Sequence, residues 1–210
     1  MTAATGSHPV YFPSRRSSMS KPRIGVILST TRDQRFADTA NDWLAGHTGK
    51  REDMEFEIID LRDFPLPYFE EAMSPMYGPA ANPVAQKWAA KIGALDGFIF
   101  VVAEYNRSLP GALKNTLDYA YPEYNRKPAA FVGYGGVGAA RAIEHLRLIC
   151  IELQMAPTRT GVHIGLEPFL AVLQHGKNLS DFEFLNTSAE QMLDEFSWWV
   201  NALRNARQAS

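Results

Sequence analysis

The sequence is short of cysteine: Cys150 is the only one in 210 residues. No intrachain disulfide can form, and a reducing, cytoplasmic compartment is expected. Long apolar runs are also missing. None approaches the roughly 20 residues a membrane helix needs, so no membrane partner is expected. Neither sign of charge dominates. Lys and Arg total 21, Asp and Glu 23, for a formal net charge of −2, which removes the electrostatic case for a nucleic-acid partner. His47, His145, His163 and His175 are scattered without metal-ligand spacing, so no metal site is expected. Ser108 has no His and Asp placed around it as a hydrolase triad requires. Residues 1–21 carry Arg15 and Arg16 among Ser and Pro with no apolar stretch behind them. They read as a flexible extension, not a signal peptide.

What remains is an ordinary globular balance of 46% apolar and 21% charged residues. Short apolar runs suited to strands buried on both faces recur at Arg23–Ser29, Phe56–Leu61, Gly97–Ala103, Ala129–Gly133 and Thr160–Ile164. Helical spacing of apolar residues separates them, at Phe36–His47, Val84–Leu95, Pro110–Tyr121 and Ala139–Met155, with a last helix at Ser188–Ala206. The proline- and aromatic-rich stretch Asp63–Pro83 is neither helix nor central strand and reads as a long ordered loop. Regular β-α alternation predicts a three-layer α/β sandwich in residues 22–210. A five-stranded parallel sheet in the flavodoxin-like order 2-1-3-4-5 suits it. That order reverses between strands one and three, so a ligand belongs on the loops after those strands.

The loop after strand one, Ser29-Thr30-Thr31-Arg32-Asp33-Gln34-Arg35, offers hydroxyls, two guanidinium groups and a helix start. This is what a phosphate needs; it is also what a plain helix cap with two solvent-facing arginines looks like. Arg32 stands at the mouth of the strand, and Arg35, one turn further along, is expected to lend only long-range charge. The loop after strand three holds Glu104, Tyr105 and Asn106. Tyr105 is suited to pack on a planar ring and Asn106 to bond its polar edge, or the two form a local turn.

The stretch E-Y-N-R-S-L-P-G-A-L-K-N-T-L-D, Glu104 to Asp118, is the specific element of the chain. With Lys127-Pro128 and Gly133-Tyr134-Gly135-Gly136, it resembles the NAD(P)H-dependent FMN reductase family of flavodoxin-like proteins. That resemblance implies FMN as cofactor and NAD(P)H as electron donor. It implies a small-molecule acceptor such as a quinone, free flavin, azo compound or metal oxyanion, and a homodimer or homotetramer. It implies a phosphate on the Ser29–Arg32 turn, held by Thr30 and Arg32. It implies a flavin ring held by Glu104, Tyr105 and Asn106 and touched by Tyr134, Gly135 and Gly136. The family pattern has Gly where this chain has Ser29 and Pro where it has Ala103. These departures predict crowding of the phosphate turn and a looser flavin loop.

Gly133-Tyr134-Gly135-Gly136-Val137-Gly138 also spells the dinucleotide fingerprint G-x-G-x-x-G. It follows the fourth strand instead of the first and lacks the acidic residue about 20 positions on. The reading it supports is a glycine turn that lets backbone approach a flavin. Two rival functions share the flavin. A non-enzymatic electron carrier would dock partners through a strongly acidic surface, which a net charge of −2 does not supply. A flavin-binding regulatory protein without turnover is the other.

Overall fold

The computed structural model describes residues 20–209, so residues 1–19 of the expected extension lie outside the described residues. The strands form because each is a near-continuous apolar run. β1 (Arg23–Leu28) is buried past its first residue, and β3 (Gly97–Ala103) and β4 (Pro128–Tyr134) are buried throughout. β2 (Glu55–Asp60) lies beside β1. All pairings are parallel and run in the order β2-β1-β3-β4, with the short pieces β5 (Ala156–Pro157) and β6 (Val162–Ile164) both against β4.

Buried on both faces, the sheet has two cores. One packs α2 (Pro83–Gly93), α3 (Gly111–Asp118) and α4 (Ala140–Glu152) through Trp88, Leu117 and Ile143. The other packs α1 (Phe36–Thr48) and α6 (Glu183–Gln208) through Leu44, Met192 and Phe196. The expected order 2-1-3-4-5 is the one found.

Three differences from the expectation are the largest. The fifth strand is interrupted: Pro157 has no N–H for the ladder, and Thr158 turns in so that its N–H and hydroxyl both donate to Ala129 O, at 2.9 and 3.3 Å. A helix not expected from the sequence, α5 (Leu166–His175), follows β6. Pro168 reads as a breaker, but it stands in the first turn, where its missing N–H costs nothing. Gly176 closes α5 in the left-handed conformation, φ 62°. The last helix starts at Glu183, five residues before the expected Ser188.

The Asp63–Pro83 segment is tied down as expected of an ordered loop. Asn115 on α3 accepts from Phe69 N at 2.9 Å and donates to Pro67 O at 2.7 Å. The Glu71 carboxylate accepts from Ala81 N and Asn82 N at 2.9 and 3.0 Å.

Candidate functional site

The loops after β1, β3 and β4 meet at the carboxyl edge of the sheet and enclose a cavity of about 440 Å3. That volume lies in the usual range for small-ligand pockets, roughly 300–1,000 Å3. Arg32, Glu104, Tyr105, Tyr134, Gly135 and Gly136 all line it. Ser29, Thr30 and Asn106 do not, but sit in the same two loops.

The first loop begins where the β1–β3 ladder is prolonged by a side chain. Ser29 N donates to Val101 O at 3.1 Å, and Ala103 N then donates to Ser29 Oγ at 3.2 Å. The Ser29 side chain is fully buried and turned toward β3. The looseness expected from the absence of Pro at Ala103 is offset by the N–H that proline would have removed.

Thr30 is 1% exposed, and its Oγ1 has no hydrogen-bond partner. Buried polar atoms are almost always paired, so an orphaned hydroxyl marks a place where a ligand oxygen would complete the structure. Arg35 at the start of α1 supplies no side-chain cap to the helix N–H groups. Its guanidinium instead donates to Thr30 O, to both Asp60 oxygens at 2.9 and 2.5 Å, and to Asp38 Oδ1 at 2.9 Å.

The view of Arg35 as a remote surface charge is therefore corrected: it is 6% exposed and holds the loop's backbone. Burial works against its charge, but the hydrogen bonds and charges of Asp60 and Asp38 outweigh that and raise its pKa. Arg32 is exposed on the cavity rim.

In the third loop, Tyr105 and Ser108 exchange both backbone hydrogen bonds, at 2.9 and 3.1 Å. The turn between them places Asn106 and Arg107 at φ 48° and 71°. Positive φ at both central residues is the tight hairpin turn that asparagine tolerates best. It leaves Asn106 exposed at the tip. The Glu104 carboxylate is engaged by α4: it accepts from Arg141 N at 3.2 Å and Arg141 Nε at 2.6 Å.

After β4, Gly135 takes φ +129°, and a Cβ at Gly135 or Gly136 would meet nothing within 4 Å. Backbone there faces open space. Gly133 is the opposite case, since a Cβ would sit 2.4 Å from Gly138 O. These glycines serve a folded-back turn at the carboxyl end of β4, and their spacing calls for no second nucleotide site.

The NADPH-dependent FMN reductase family model matches residues 22–167. The chain belongs to this family. It is an FMN-dependent oxidoreductase that draws on NAD(P)H. An NAD(P)H-dependent FMN reductase of Schizosaccharomyces pombe is 37% identical over 142 residues, which is 65% of this chain and 70% of that one. A 2-hydroxy-1,4-benzoquinone reductase of a Burkholderia species is 32% identical over 140 residues, 63% of this chain and 72% of that one. The solved flavoenzyme NAD(P)H:(acceptor) oxidoreductase of Paracoccus denitrificans shares the fold with TM-score 0.68 at 20% identity. The match covers 86% of this chain and 98% of that one.

The reductase surrounds its cavity with rings that sequence reasoning did not assemble. Phe36 on α1, Tyr134 and Phe169 on α5 form a cluster. Phe36 lies 5.2 Å from Tyr134 and 4.6 Å from Phe169, and Tyr134 stacks on Phe169 at 11°. Phe169 and Leu173 reach the cavity only because α5 exists, so they were out of sight of the strand-order argument. Burial pushes the Tyr134 phenol up to about 12. The Thr30 hydroxyl stands near enough to offset part of that rise, though not in hydrogen-bond geometry.

Ser108, which has no partner nearby in sequence, meets His145 of α4, with Oγ 3.0 Å from Nδ1. Arg141 and His145 stand one turn apart, and together they grip both ends of the third-loop hairpin. Cys150 is fully buried, and burial pushes its thiol up to about 12, which makes it an inert packing residue. Among the described residues no group of His, Cys, Asp and Glu is arranged to hold a metal ion, and no helix is long and apolar enough to cross a membrane.

Proposed function

We propose that the reductase passes electrons from NAD(P)H to a quinone, and that FMN is held in the cavity between the three loops. The observation that carries the site is the buried, unpartnered hydroxyl of Thr30 in the loop that opens α1. A phosphate oxygen there satisfies the hydroxyl and meets the favourable end of the helix dipole, with Arg32 on the rim as counter-charge. The naming of a relative as a benzoquinone reductase supports the choice of acceptor.

FMN, when bound, supplies the hydride-accepting and electron-donating chemistry. The chain's residues bind, orient and exclude water. Tyr105 and the Phe36–Tyr134–Phe169 cluster give apolar walls. Backbone at Gly135 and Gly136 approaches without a side chain in the way; Gly135 N–H is held by Ile164 O at 3.1 Å, so the N–H offered to a negatively charged ring edge is that of Gly136. Arg141 holds Glu104 aside, so Glu104 offers its backbone. No side chain of this set needs to act as a nucleophile.

The working form is a homodimer or larger homo-oligomer in the cytoplasm. Tyr68, Met73 and Tyr77 are exposed on the Asp63–Pro83 loop and supply an apolar contact surface. The test is threefold: cofactor released by acid from purified protein, NAD(P)H-dependent reduction of a benzoquinone, and light scattering. FAD alone, no turnover, or a constant monomer mass of 23.4 kDa would each remove the corresponding part.

A further inference from the structure

A second cavity, about 640 Å3, lies between α4 and the β5–β6 edge. Arg141, Glu144, Arg147, Arg159 and His163 line it. Three guanidinium groups on one small surface are unusual in a chain of net charge −2. Their counter-charges are incomplete. Arg141 is neutralised by Glu104. Arg147 and Arg159 have no ion pair among the described residues.

Arg147 lies over the Phe131 ring at 4.6 Å and donates only to backbone, to Thr158 O and to Arg159 O at 3.0 Å. Burial lowers its pKa. The nearby Glu195 is occupied by the N–H groups of Arg159 and Thr160, at 2.9 and 2.8 Å. Glu144 on the rim is the one opposing carboxylate lining the cavity. His163 Nδ1 lies 2.9 Å from Gly138 O. A carbonyl only accepts, so Nδ1 carries the proton.

This cavity shares a wall with the candidate flavin site. Glu104 lines one, Arg141 lines the other, and the two are hydrogen-bonded at 2.6 Å. The Gly135–Gly138 turn continues that wall, bonded to itself at 3.0 Å and to His163.

We propose that the Arg147–Arg159–His163 cavity takes the phosphate-bearing adenosine end of the electron donor, so that the 2′-phosphate selects NADPH over NADH. This rests on the reading that the donor reacts in the cavity beside Glu104. Arginine forks are the side chains best suited to a phosphomonoester; Arg159, exposed and without an ion pair among the described residues, leaves that role open, and Arg147, its fork already given to Thr158 O and Arg159 O, adds positive charge beside it.

Calorimetry on the protein as isolated, with its FMN, tests this with adenosine 2′,5′-bisphosphate, 5′-AMP and inorganic phosphate as probes. The bisphosphate should bind at least about tenfold more tightly than 5′-AMP or inorganic phosphate, as a hydrogen bond to a charged group implies. Arg159→Ala, an exposed position, should erase that advantage, and Arg159→Lys should restore part of it. FMN affinity should stay within about twofold, as expected for a contact outside the flavin site. In turnover, Arg159→Ala should raise KM for NADPH about tenfold, the same lost contact, and leave KM for NADH unchanged. Equal binding of the bisphosphate and 5′-AMP, equal potency of inorganic phosphate, or an unaltered Arg159→Ala variant would overturn the proposal. Failure of the flavin assignment itself would show separately, as protein without FMN that still binds the bisphosphate.

Discussion

The backbone N–H of Ala103 donates to the hydroxyl of Ser29 at 3.2 Å, which ties the first loop of the site to the third. In the family pattern that this chain resembles, the same places hold Pro and Gly. Proline has no N–H to give, and glycine has no hydroxyl to receive it. The two departures are halves of one hydrogen bond.

Ser29→Gly should therefore destabilise the protein by about 1–3 kcal/mol, the cost of a buried donor left unpaired. Ala103→Pro in the Ser29→Gly background should cost less than it does in the natural chain, because the orphaned donor is gone. Urea unfolding of the four proteins gives the coupling energy. Strict additivity would show that the pairing is incidental.

Arg35 and Arg32 should separate cleanly. Arg35→Ala removes the ligand of Thr30 O and of Asp60 from a nearly buried position. It should lower stability by about 3 kcal/mol, toward the low end for a broken buried pair because Arg62 still covers Asp60. Arg32→Ala should leave stability within about 0.5 kcal/mol, as usual for a surface change. It should weaken FMN binding at least about tenfold, through loss of a charge-assisted contact. Thermal melts without FMN, set beside FMN titrations, compare the two.

Acid should weaken the fold through Asp60. Burial favours its neutral form, but hydrogen bonds from Arg35 and Arg62 win and hold the carboxyl below the usual carboxylate range. The unfolded chain then binds the proton first as pH falls. The stabilisation is complete above about pH 4, the ordinary aspartate value, and is lost progressively below it. Asp60→Asn should be less stable at pH 7 and show a flatter decline below pH 4 in urea titrations. Parallel profiles for the two proteins would mean that Asp60 is not the titrating group.

Two glycines, one at the end of β4 and one in the turn after it, should fail in different ways. Gly133→Ala drives a Cβ to 2.4 Å from Gly138 O, so it should cost stability with or without cofactor. Gly136→Val adds a side chain where nothing lies within 4 Å on the cavity rim. It should spare the melting temperature of the cofactor-free protein and reduce FMN uptake. Loss of FMN from Gly133→Ala alone would put the flavin elsewhere.

The strand order and the three loops were legible in the sequence because β1, β3 and β4 are apolar over nearly their whole length, as strands covered on both faces must be. Helix α5 was not, since Pro168 masks its first turn and most of its apolar residues are left partly exposed. The grip of Arg141 and His145 on the third loop joins residues 37 apart and leaves no local trace. Arg35 reads as a surface charge for the same reason. An arginine in a polar loop looks solvated until Asp60, at the end of a neighbouring strand, is brought to it.

Thr30 tests the cofactor site most directly. Its hydroxyl is buried without a hydrogen-bond partner in the fold, so Thr30→Val removes no hydrogen bond from the fold and should keep or slightly raise its stability. If that hydroxyl donates to the FMN phosphate, the loss is about 1.5–3 kcal/mol, or roughly 10- to 150-fold in affinity. Riboflavin, which has the same ring and no phosphate, serves as the internal control. Fluorescence titration of the natural protein and Thr30→Val with both flavins should show FMN affinity falling by that factor and riboflavin affinity unchanged. Unchanged FMN affinity, or an equal loss for both flavins, would contradict the placement of the phosphate on this loop.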